Sequence, residues 1–88
     1  MKINILGYEY EQQIDALDEA WGEVEHCAQT ITTAHDMSEA MRFQTLWHES
    51  LHAVDFWLGL GLTEQQVEGV ATGIAFILRH NQHMRSHE

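Results

Sequence analysis

Proline is missing from this chain, and cysteine occurs once, at Cys27. Without proline, no helix interior is forced to kink. With a single thiol no internal disulfide can form, which points to a reducing compartment. Basic side chains are also scarce: four Lys+Arg stand against 14 Asp+Glu, a formal net charge of −10. Gripping a phosphate backbone needs a basic face, so nucleic acid is not an expected partner. No apolar run approaches membrane-spanning length, and the opening MKINILGYEYEQQ is too polar for a secretory signal. The expectation is a cytoplasmic protein with no membrane partner.

What remains is 88 residues, read as a single domain spanning 1–88. A domain this small is marginal unless a metal or a partner adds stability. INIL, then Gly7 and YEYEQQ, reads as one or two strands, with Ile3, Ile5, Tyr8 and Tyr10 in partial alternation. IDALDEAW reads as a helical turn or a loop before Gly22. EVEHCAQTITTA resembles two strands around a turn near Ala28-Gln29. From Ser38, a fitting N-cap, to Leu58 neither glycine nor proline interrupts the chain, and Met41, Leu46, Leu51, Val54 and Leu58 follow helical spacing. The glycines of GLGL then reverse the chain. Thr63 opens a second helix, with Gln66 completing a capping box and Glu64 in the first turn. Val67, Val70, Ala71, Ile74, Ile77 and Leu78 give that helix an apolar stripe. The fold expected is α+β: a small antiparallel sheet of about three strands in the N-terminal half, followed by two long helices.

The first helix carries TLWHESLHAV, Thr45 to Val54. His48 and His52 are one turn apart, so both imidazoles project from one face, as two nitrogen ligands to one zinc ion must. Glu49, beside His48, is placed to take a proton from a water at the metal. Seven histidines in so short a chain make a chance match conceivable, so context has to carry the motif. Its flanks Thr45, Leu46, Ser50, Leu51, Ala53 and Val54 are uncharged, as suits a helix beneath a cleft. The competing reading is a solvent-facing His pair.

A catalytic zinc site takes three protein ligands and keeps one position open. The second helix offers Glu68 and, as the alternative, Glu64. Glu68 lies between Val67 and Val70, where an unpaired carboxylate is costly, and a metal bond would account for it. Glu64, in the first turn, complements the helix dipole, which by itself would account for it. Whichever glutamate is not a ligand is available to hydrogen-bond a ligating imidazole. Asp55, on nearly the same face as the histidines, could do the same, or cap the helical hairpin.

The segment LWHESLHAVDFWLGLGLTEQQVEGVATGIAFILRHN resembles small phage-type His-Glu-x-x-His metallopeptidase-like proteins, related to the ImmA/IrrE family and to minimal gluzincin-like domains. That family's Glu-x-x-Ala-x-x-Phe-Ala is matched by Glu68, Ala71, Ile74 and Ala75, with Ile for Phe. The resemblance implies one Zn2+ per chain on His48, His52 and Glu68, with Glu49 as general base. It implies a zinc peptidase acting on a protein or peptide substrate, a transcriptional repressor in the ImmA/IrrE case, and a host-cell cytoplasm if the gene is phage-borne. It also implies that an extended substrate adds to the strand around Thr30, Ile31, Thr32, Thr33 and Ala34. The alternative function is a non-enzymatic binding module that keeps the fold, with zinc as a staple or with none. Tyr8, Tyr10, His35 and His80 are nominal candidates for stabilising an oxyanion.

Elsewhere, RHNQHMRSHE sets out His80, His83 and His87 at spacings that could bind metal or let the tail plug the site. Cys27 could reach the metal, but a turn-side thiol is the simpler reading. Trp47 and Trp57, ten residues apart, are expected on one helix face with Phe43, a stripe wide enough to suggest a homodimer.

Overall fold

The computed structural model of the chain describes residues 1–81 and 83. Strands β1 (Lys2–Ile5), β2 (Tyr8–Asp15), β3 (Gly22–Glu25) and β4 (Thr30–Ala34) precede helices α1 (Glu39–Leu58) and α2 (Glu64–His80). The expected α+β fold is present, with one more strand than foreseen. The sheet is mixed rather than antiparallel: its order is β1-β2-β4-β3, and β2 runs parallel to β4.

Local chemistry explains the elements. Ile5 pairs with Tyr8, so Leu6 and Gly7 alone turn the first hairpin. Both have positive φ, 55° and 90°, matching the right-handed twist of the strands they join. IDALDEAW divides, its first two residues finishing β2 and the rest forming a loop. β4 lies inside the sheet, so its uncharged TITTA has neighbours on both sides, while edge strand β3 alternates glutamate with less exposed residues. Ser38 Oγ accepts from Met41 N at the start of α1, and Gly59 ends it in the left-handed conformation. Thr63 and Gln66 form the capping box of α2.

The core lies between the sheet and α1, around Ile5, Tyr10, Ile31 and Ala53. Trp57 donates its indole N–H to the buried Tyr10 hydroxyl at 2.7 Å, which leaves the hydroxyl proton for His26 Nδ1 at 3.2 Å. Trp57 also stacks on Tyr8. Trp47 and Phe43 instead line an apolar groove against β1. The expected common face fails because ten residues at about 100° each leave the two tryptophans roughly 80° apart. Helix α2 touches α1 and no strand. It buries Val67, Ala71 and Ala75, and the two alanines let the helix axes approach closely. No helix among the described residues is long and apolar enough to cross a membrane.

Gly22 brings β3 close against α1. A Cβ there would stand 2.6 Å from Thr45 Cγ2 and 3.1 Å from Glu49 Cγ. Gly22→Ala is therefore expected to cost about 1–3 kcal/mol of stability, read from the denaturation midpoint. Adding Thr45→Ser, which deletes the offending methyl, should recover most of that loss. An unchanged midpoint in the single variant would mean that β3 lies farther from the helix.

Candidate metal centre

Two rows of side chains face each other across the antiparallel helices. Gln44, His48 and His52 follow at four-residue intervals along α1; Glu64, Glu68 and Thr72 do so along α2. Such spacing puts each set on one helix face. At the end nearest the interhelical turn, His48 Nε2 lies 2.7 Å from Glu64 Oε2, and His52 Nε2 lies 3.0 Å from Glu64 Oε1. The two Nε2 atoms are 3.2 Å apart. His48, His52 and Glu64 thus form a group that could hold a metal ion. A tetrahedral ion with bonds of about 2.0–2.1 Å keeps its donors about 3.3 Å from one another, close to what is found.

Glu68 does not join them. Its Oε1 lies 2.6 Å from His48 Nδ1, on the edge of the ring away from Nε2. A carboxylate held there cannot also reach an ion at Nε2. Of the two glutamates, Glu64, the alternative, thus meets both imidazoles at Nε2, and Glu68 meets His48 at Nδ1. Thr72 Oγ1 donates to Glu68 Oε2 at 3.3 Å and accepts from Gln44 Nε2 at 2.9 Å, so the carboxylate is itself held. Neither Thr72 nor Gln44 was singled out from sequence; continuing each row by one more turn would have found both.

The donor set fits a cation on chemical grounds. With the Nδ1 proton of His48 directed to Glu68, the lone pair on Nε2 meets a Glu64 oxygen, acceptor against acceptor. Only a cation between them, a proton or a metal ion, reconciles that contact.

Glu49 lies against the start of β3, its Oε2 3.3 Å from where a Cβ on Gly22 would stand, and is 8 % exposed. Burial raises its carboxyl above the ordinary glutamate range; the nearby His48 and His52 oppose the shift, and Glu64 and Glu23 add to it. His48, Glu49, Glu64 and Glu68 line one cleft of about 380 Å³, which continues past Gly22 to Glu19, Trp21 and Met41. These last three were not foreseen either, because they come from the loop before β3 and the first turns of α1.

No family model, curated protein or solved structure matches the chain.

Other expected residues go elsewhere. Asp55 Oδ1 accepts from Leu62 N at 3.1 Å and so ties the helical hairpin, the second of the two roles expected of it. Thr30–Ala34 is no free edge, since β4 is paired to β2 on one side and β3 on the other. The strand left with an open edge beside the cleft is β3. Tyr8, Tyr10, His35 and His80 do not line the cleft. His80 bonds the Phe76 carbonyl, Cys27 is exposed in the β3–β4 turn, and His87 lies outside the described residues.

Proposed function

We propose that the chain is a minimal zinc-dependent peptidase of the His-Glu-x-x-His kind, acting on a protein or peptide substrate. The observation that carries this reading is the meeting of His48, His52 and Glu64 at one point with a buried carboxyl, Glu49, next in sequence on the cleft wall. Zinc held there would supply Lewis acidity, acidifying a water and polarising a peptide carbonyl. Three protein donors leave a position open to solvent, and Glu68 is engaged with His48 Nδ1 rather than closing it.

The chain's own residues account for the remaining steps. An extended peptide pairs along the free edge of β3, whose glycine start brings the backbone against Glu49. Glu49 accepts a proton from the attacking water as the oxygen adds to the carbonyl carbon. The C–N bond then breaks, and Glu49 passes that proton to the departing nitrogen, giving a carboxylate and an amine. Glu68, held by Thr72, keeps the His48 ring turned to the metal position.

The test is metal content and hydrolysis together. Protein purified without added metal is expected to hold about one zinc per chain and to cleave an unfolded, fluorescently labelled protein. Chelation should stop cleavage and zinc should restore it. Bound zinc without cleavage would leave a zinc-stapled binding module; a folded chain without zinc would overturn the reading.

A further inference from the structure

Beyond the metal centre, the cleft has a second end whose chemistry is unused by hydrolysis. Trp21 is 66 % exposed, yet its backbone is fixed, because its carbonyl accepts from Ala34 N at 2.9 Å. An indole on an anchored backbone and open to solvent forms a ready contact face. Met41 lines the same end, and Glu19 contributes an exposed carboxylate.

Charge decides what this end suits. Glu64 faces the metal position, Glu68 is engaged by His48, and Glu49 is buried, so Glu19 is the carboxylate without a role. No lysine or arginine lines the cleft among the described residues. The described cations are committed elsewhere: Lys2 to Glu9, Arg42 to Thr33 Oγ1 and the Ala34 carbonyl, and Arg79 to the Ala40 carbonyl. None of these described cations complements this end of the cleft.

We propose that the Glu19–Trp21–Met41 end of the cleft is a subsite for a basic side chain, arginine above all, on the peptide that binds along β3. This rests on reading the cleft as a peptide site. The alkyl stem packs on the Met41 thioether and the guanidinium lies over the Trp21 indole, where the ring quadrupole attracts it. Glu19 adds a charged partner at the rim. Arginine is preferred to lysine because a planar, weakly hydrated guanidinium stacks on an aromatic face and an ammonium does not.

The probe is a set of capped, fluorescein-labelled octapeptides of alanine and serine with one arginine walked through every position, and the same set with citrulline, its neutral isostere. Binding is read by fluorescence anisotropy on zinc-loaded Glu49→Gln, which cannot turn the peptides over, and on the metal-free form. At one or two adjacent positions arginine should bind about tenfold tighter than citrulline, and the margin should shrink with added salt. Trp21→Ala and Glu19→Gln, both at exposed positions, should bring the arginine set down to the citrulline level. Equal binding of the two sets, no binding of either, or a margin untouched by both substitutions would overturn the subsite. The two readings fail separately. Wild-type protein that cleaves both sets equally loses the subsite and keeps the peptidase; arginine binding that depends on Trp21, without cleavage of any peptide, keeps the subsite and loses the peptidase.

Discussion

Removal of the Glu64 carboxylate should weaken metal binding by about two to three orders of magnitude, and removal of the Glu68 carboxylate by about one to two. Zinc bound by four protein ligands is worth about 10–16 kcal/mol, so one ligand accounts for roughly 3–4 kcal/mol, or two to three orders of magnitude in affinity. Glu64→Gln keeps size and helix compatibility at an exposed first-turn position, so the fold should survive. Glu68→Gln replaces the carboxylate at His48 Nδ1 with a neutral, weaker amide acceptor and leaves all three donors, a change of the class that costs about 10–100-fold. Competition with a chromogenic chelator measures both. The reverse order, with Glu68→Gln the more damaging, would return Glu68 to the ligand position. Equal small losses would mean that neither carboxylate binds the ion.

Glu49→Gln should separate binding from turnover. The variant should keep its zinc and lose about 10²–10⁴ in hydrolysis rate, because the amide can neither take the proton from water nor return it to nitrogen. The same substitution has a consequence in the metal-free protein. Burial raises the folded-state pKa of Glu49, so its ionisation opposes folding. That penalty is absent below the unfolded pKa, grows as pH rises from there to the folded value, and is constant above it. Metal-free Glu49→Gln should therefore be more stable than wild type at neutral pH, and the two should converge in acid. Denaturation midpoints across pH test this. A gain persisting undiminished below the unfolded pKa would point to packing rather than charge.

The helices were legible from sequence because their signals are local. Ser38, Thr63 with Gln66, and the glycine after Leu58 fix their ends without reference to the rest of the chain. Strand pairing is not local. Nothing within YEYEQQ says that its neighbour is TITTA in parallel register, and the reading of Thr30–Ala34 as a free edge overlooked the uncharged, β-branched run that suits an interior strand, against the alternating glutamates of β3. The choice between Glu64 and Glu68 is a similar case. One turn apart on one face, they have the same periodicity; what separates them is how far α2 has advanced along α1 when it docks. The apolar neighbours of Glu68 suggested a buried carboxylate in need of a metal, but its partner is the imidazole of His48.

That advance is set by the five residues between Leu58 and Glu64. Gly59 and Gly61 turn the chain at φ 62° and 71°, and Asp55 ties the returning strand at Leu62 N. One inserted residue would leave every ligand, cap and apolar stripe intact, yet could shift the Glu64–Glu68–Thr72 row by about 1.5 Å, most of the length of a metal–ligand bond. Heredity therefore has two ways to silence this centre: substitution of a ligand, and a change of length in a turn that holds none of them. A descendant sequence with all of its histidines and glutamates in place could be metal-blind for want of one residue fewer.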